Sequence, residues 1–284
     1  EDELSIYLRA RVPLIVIVTV EEMRAMEIVR WVQRERDSRA DLITWDFADG
    51  FQSANGATLP SAPGPREALD KIGEMVDAAP TVKNVYVLKD FHEFWAKDPQ
   101  VKRKLRNLSQ RLVRTSASLI IVTPSRDVPL ELRDEAVVLD LPLPDAPALR
   151  TSMDELIQQT KVNTNLPGTG RERLAQAAIG LTLSQARRAF SKAIVRDQVL
   201  DEQDIASVHE EKKAVIRQNQ ALEFYAAEET PADVGGLEVL VRWLELREQA
   251  FGEQAAAYGL PSPKGIALIG IPGTGKSLTA KMIG

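Results

Sequence analysis

Gly270-Ile271-Pro272-Gly273-Thr274-Gly275-Lys276-Ser277 decides how this chain is read. The octapeptide matches G-x-x-x-x-G-K-[S/T] at every fixed position, the pattern of a phosphate-binding Walker A loop. Its surroundings fit the same pattern. The apolar residues 266–269 (IALI) read as a strand, and residues 278–283 read as the start of a helix. Glycines let the backbone wrap a phosphate, with several N–H groups aimed inward at a helix N-terminus. On this reading Gly270, Ile271, Pro272, Gly273, Thr274, Gly275 and Leu278 line an ATP site. Lys276 reaches the β- and γ-phosphates, and the Ser277 hydroxyl coordinates Mg²⁺. A chance glycine-rich turn would not require strand, loop and helix in this order.

Hydrolysis asks for more. P-loop enzymes need an acidic residue on a later strand to hold Mg²⁺, and a group that orients water. Only seven residues follow Ser277. The expectation is a longer protein in which the catalytic acid, the sensor and the arginine finger lie beyond Gly284, this stretch alone being inactive.

Working outward, residues 13–20 (PLIVIVTV) form a β-branched run, the pattern of a strand buried on both faces. Residues 21–36 read as a helix whose apolar stripe is Met23, Met26, Ile28, Val29 and Val32. Strands are predicted at 42–47, 85–88, 119–123 and 136–141, and helices at 66–78 and 99–115. The Gly-, Ser- and Pro-rich residues 48–65 read as a loop. Alternating strands and helices of this size predict an α/β fold with a parallel sheet covered by helices on both faces. From Ala146 to about Ala226 the patterns are helical with no convincing strand. Another α/β pattern begins near Glu229. The predicted organisation is therefore an α/β domain over 1–145, a helical lid and linker over 146–228, and the beginning of a second α/β domain over 229–284.

Composition bounds the rest. The chain has 284 residues, enough for two modest domains, with 44% hydrophobic and 27% charged residues, as in soluble globular proteins. It has no cysteine, which excludes disulfides and thiolate sites. The net charge of −5 argues against a nucleic-acid partner. A basic segment carrying Lys97, Lys102, Arg103, Lys104, Arg106, Arg111 and Arg114 reads first as a solvated helix face. Phe91, Phe94 and Trp95 read as core packing beside Asp90, and neither His92 nor His209 suggests a ligand by spacing. The apolar run at 12–20 is far below the ~20 residues needed to cross a bilayer and lacks a cleavage pattern. A cytoplasmic protein without a membrane span is expected.

From Glu229 onward the residues resemble the start of an AAA ATPase module. Thr230-Pro-Ala-Asp-Val-Gly-Gly-Leu237 is similar to the segment preceding the P-loop in that family, and Gly-Ile-Pro-Gly-Thr-Gly-Lys-Ser-Leu-Thr-Ala-Lys is typical of it. The resemblance implies that Asp233, Val234 and Gly235 lie beside the adenine. The upstream region resembles a degenerate AAA module. Thr19-Val-Glu-Glu-Met-Arg24 stands where a P-loop would, without glycine or lysine, and its two carboxylates would repel a triphosphate. Val85-Tyr-Val-Leu-Lys-Asp90-Phe-His92 resembles a Walker B strand with altered acids, and Thr123 stands at a sensor position. Pro142–Pro144 resembles the passage into the lid, and Gly180-Leu-Thr-Leu-Ser-Gln-Ala-Arg187-Arg188 resembles the lid segment with a second sensor arginine. The whole chain, most of all Leu4 to Glu22, is similar to AAA proteins encoded by a conserved reading frame in cyanobacterial genomes and some red-algal plastids, which adds the plastid stroma as a location.

The resemblance implies ATP/ADP binding, a hexameric ring of the full-length protein, and a protein substrate or partner of unknown identity. Residues 228–237 would act as a hinge between modules. Three readings of function stay open: an ATP-driven remodelling enzyme, a nucleotide-gated regulator that does not hydrolyse, and a small-molecule or nucleoside kinase. The Asp-Val-Gly-Gly segment argues against the kinase.

Overall fold

A run such as Leu-Ile-Val-Ile-Val has no polar face to offer water, so it has to sit where both faces are covered. In the computed structural model it forms β1 (Leu14–Val18), the fifth strand of a six-stranded sheet and flanked on both sides. The structure describes residues 2–160, 162–164, 168–201, 204–218, 236–248, 250, 255, 258–260, 265–269 and 276–283. The other strands are β2 (Leu42–Asp46), β3 (Gly50–Ser53), β4 (Val85–Lys89), β5 (Ser118–Thr123) and β6 (Ala136–Asp140). Their order is β3-β2-β4-β5-β1-β6, and every pairing is parallel except that of β3 with β2.

Alternation along each strand splits the core in two. Leu14, Val16, Ile43, Trp45, Tyr86, Leu88, Leu119 and Ile121 point to one face. There they meet α3 (Pro65–Ala78), α4 (His92–Lys97) and α5 (Pro99–Leu112) through Leu69, Ile72, Trp95, Leu105 and Leu112. Ile15, Ile17, Leu42, Val85, Val87, Ile120 and Val122 point to the other face. Here α1 (Asp2–Arg9) contributes Leu4 and Leu8, and α2 (Glu22–Arg36) contributes Met26, Val29 and Val32. Each such fully buried aliphatic side chain contributes about 1.5–3 kcal/mol relative to exposure. Trp45 is fully buried and its indole N–H donates to the Ala62 carbonyl at 3.0 Å, so its polar atom is satisfied. Phe91 and Phe94 pack edge-on against Trp45 with ring centroids 5.8 and 6.2 Å away, which makes that aromatic group core.

A helical part follows. α6 (Ala146–Thr160), α7 (Gly168–Ala178) and α8 (Leu183–Asp197) pack on one another, and α9 (Asp204–Gln218) follows them. The first residue of α8 is set by a capping box: Thr182 Oγ1 accepts from the Gln185 N–H, and Gln185 Oε1 accepts from the Thr182 N–H. The chain divides into two compact units, Glu1–Glu211 and Lys212–Gly284. The second contains α10 (Glu238–Glu248) and α11 (Lys276–Ile283).

Several expectations need correction. The stretch 48–65 is not all loop, since β3 closes a hairpin onto β2 across Gly50, whose φ of 70° suits a residue without Cβ. Its composition hid it. The helical region contains one short parallel pair, β7 (Asn163–Thr164) with β8 (Val199–Leu200). Residues 265–269 do not form a strand. Among the described residues none pairs with them, and an apolar run without a ladder partner has no reason to be a strand. Ile269 is accordingly 95% exposed.

Candidate functional site

Of the sequence-predicted nucleotide contacts, Asp233, Val234, Gly235 and residues 270–275 lie outside the described residues. Lys276, Ser277 and Leu278 form the first turn of α11. Lys276 is half-buried, Leu278 is exposed, and Thr279 is buried. The first N–H groups of a helix lack intrahelical partners and carry the positive end of its dipole, so α11 begins with the electrostatics an anion needs. Lys276 adds a full positive charge at that end. The expected hinge at 228–237 falls outside the described residues except for Gly236, at φ 79°, and Leu237.

The corresponding place in the first unit can be described atom by atom. In an open parallel sheet, ligands bind at the carboxyl ends of the strands where neighbouring connections run in opposite directions. Here the chain leaves β1 toward β2 on one side and leaves β5 toward β6 on the other, so the crevice falls between β1 and β5. A cavity of about 230 Å³ lies there, lined by Thr19, Val20, Glu22, Asp90, Val122, Thr123 and Pro124. Its charge is wrong for a phosphate chain. Lys89 lies 3.2 Å from Glu22 and 3.8 Å from Asp46, and is thus committed to carboxylates. Asp90 adds another acid at the end of β4, in the left-handed region at φ 50°. Among the described residues no group of three or more His, Cys, Asp or Glu could hold a metal ion.

Each further residue singled out in the sequence has a local use. Thr123 is fully buried, and its hydroxyl accepts from the Ser125 N–H at 3.1 Å, shaping the turn after β5. Arg187 donates to Gln159, and Arg188 pairs with Glu211 at 3.1 Å, so both lie within the helical part. His92 lies 3.6 Å from Glu93 through Nε2, while its buried Nδ1 has no hydrogen-bond partner. The basic segment is largely neutralised within the fold. Lys102 pairs with Glu131, Lys104 with Asp70, Arg106 with Glu135 and Arg111 with Asp77.

Glu21 was missed as anything more than a repelling charge. It directly precedes α2 and is 8% exposed, yet its side chain does not cap its own helix. Its Oε2 accepts from Arg24 Nη1 at 2.8 Å, and its Oε1 accepts from the N–H of Leu183, 162 residues away, at 2.5 Å. Nothing local in the sequence signals a contact of that span.

Comparison with known proteins fits this layout. Residues 1–141 match the model of the SpoVK-like AAA ATPase N-terminal domain, and residues 147–219 match that of the same family's second domain. The AAA domain-containing protein ycf46 of Trieres chinensis is 36% identical over 282 residues, covering 99% of this chain and 55% of that protein. The ycf46 proteins of Pyropia yezoensis and Guillardia theta are each 35% identical, with 99% of this chain covered and 56% and 54% of theirs. The chain thus spans just over half the length of the curated relatives it matches. The structure of C. elegans PCH-2 shares the fold at a TM-score of 0.50 with 10% identity, over 77% of this chain and 68% of that one. With two consecutive domain models matched and relatives aligned along nearly its full length, this chain belongs to the SpoVK-like AAA ATPases.

Proposed function

We propose that this chain is part of an ATP-driven remodelling or regulatory ATPase and binds Mg²⁺–ATP at the loop 270–277. The observation that carries the reading is the unbroken match of Gly270 to Ser277, with Lys276 opening α11. Lys276 contacts the β- and γ-phosphates, Ser277 holds Mg²⁺, and Asp233, Val234 and Gly235 border the base. The residues 1–145, 146–228 and 229–284 act as a module without a P-loop, its lid and linker, and the opening of the catalytic module. Catalytic acid, sensor and arginine finger lie beyond Gly284, in a hexameric ring of the complete protein acting on a protein partner in the cytoplasm or plastid stroma. No helix among the described residues is long and apolar enough to cross a membrane.

A reading without turnover, in which ATP acts as a switch, shares the same binding site and differs only beyond Gly284. Steady-state phosphate release by the longer protein, measured beside Lys276→Ala, separates the two. Turnover that depends on Lys276 supports the ATPase. Tight ATP binding that depends on Lys276 without phosphate release supports the switch, and turnover unaffected by Lys276→Ala removes both.

A further inference from the structure

The amide of Leu183 is the first free N–H of α8, and the start of a helix is a place where a bound anion is stabilised. In the first unit that amide is already taken by the Glu21 carboxylate, at 2.5 Å. Glu21 lies just beyond β1, between Val20 and Glu22, which line the cavity at the carboxyl ends of β1 and β5, while its own side chain turns to α8. The other carboxylate oxygen accepts from Arg24 Nη1. The same Nη1 donates to the carbonyl of Pro142 at 2.6 Å, where the chain leaves β6 for the helical part. Residues at the start of α2 therefore grip the helical part twice, at its entry and at the first turn of α8. The Glu21 side chain is 5% exposed and the Arg24 side chain 19% exposed, so neither contact is a loose surface pair. α6, α7 and α8 otherwise pack chiefly on one another.

We infer that Glu21 and Arg24 form an internal latch that holds the helical part closed on the sheet. The helical part then stays seated on the sheet without a ligand to hold it there. Glu21 and Arg24 are positioning residues in this arrangement. The inference does not depend on whether the P-loop binds ATP.

The chain has no cysteine, so a spin-label pair can be placed at will. Glu27→Cys on the exposed side of α2 and Val195→Cys at a 74% exposed position of α8 bracket the latch. Both go into a Lys276→Ala background, so that nucleotide at the P-loop does not contribute. The expected result is a single narrow distance, unchanged by Mg²⁺–ATP. Adding Glu21→Ala should at least double the width of that distribution. In the unlabelled chain, Glu21→Ala should speed exchange of the Leu183 amide roughly tenfold or more, as expected for loss of a hydrogen bond to a charged acceptor. Glu21→Gln keeps an acceptor but loses the charge, and should fall between the two in both readouts. It also serves if Glu21→Ala fails to fold. An unchanged distribution and unchanged Leu183 exchange in whichever of these variants folds would overturn the latch. So would a distance in the Lys276→Ala background that moves with Mg²⁺–ATP.

Discussion

Two segments of this chain each lead into a helix, residues 19–24 into α2 and residues 270–277 into α11, and their chemistry is opposite. Residues 270–277 supply three glycines, two hydroxyl residues and one lysine, with no acid. Residues 19–24 supply two carboxylates and an arginine, with no glycine. Glycine leaves room for a phosphate against the backbone and lysine neutralises it. In the other segment Glu22 and Asp90 line the crevice with negative charge, and Glu21 turns its carboxylate to the amide of Leu183. A sheet crevice of this kind gathers anions whether they arrive as ligands or grow from the chain, and the difference lies in which side chain the chain places after its strand.

The contrast can be broken at several points. The largest effect expected is from Lys276→Ala, which removes a charged donor to phosphate and should weaken ATP binding by about 10- to 100-fold. Equilibrium binding of a fluorescent ATP analogue to the longer protein measures it. Next, Glu21→Ala leaves the Leu183 N–H without its acceptor and Arg24 with only the Pro142 carbonyl. A loss of about 1.5–2 kcal/mol in urea-unfolding stability of the first unit is expected, against less than half of that for Glu27→Ala on the exposed side of α2. Thr182→Ala removes the local cap of α8 and should cost about 1 kcal/mol, leaving the Glu21 contact in place. The double variant Glu21→Ala with Thr182→Ala should lose more than the sum, because the two acceptors serve the Leu183 and Gln185 amides of one helix turn.

The smallest effect lies outside the crevice. Glu135 is held below the usual carboxylate range, chiefly because Arg106 donates to it. A carboxyl whose pKa is lowered on folding stabilises the folded state above its unfolded value of about 4.3 and loses that contribution as pH falls through its folded value. With Arg106 a third exposed, solvent screens the pair. Glu135→Gln should therefore cost about 0.5 kcal/mol at neutral pH, and the gap to wild type should shrink as pH drops below about 4, readable from thermal unfolding at both pH values.

How much of this was legible in the sequence follows physical lines. The parallel strands β1, β4 and β5 were readable because burial on both faces leaves runs such as Leu-Ile-Val-Ile-Val that no other local structure explains, while β2 and the partly exposed edge strand β6 were readable from shorter apolar runs. β3 was not, since Gly50-Phe51-Gln52-Ser53 pairs only along one side and carries the composition of a turn. Residues 266–269 read as a strand on apolarity alone, but a strand needs partners, and none of the described residues supplies them. The basic segment at 97–114 looked like a charged surface until its partners Asp70, Asp77, Glu131 and Glu135 came from other elements. The P-loop was legible because its chemistry is contiguous. The Glu21–Leu183 contact was not, because its two ends are 162 residues apart and only the packing of α8 brings them together.

The most direct test is the stoichiometry of Mg²⁺–ATP binding by equilibrium dialysis, on the longer protein and its Lys276→Ala variant. Up to a second P-loop-dependent site elsewhere, one nucleotide should be lost per chain on Lys276→Ala, and none should remain attributable to residues 1–211. A nucleotide retained by residues 1–211 after Lys276→Ala would contradict the division of labour between the two segments.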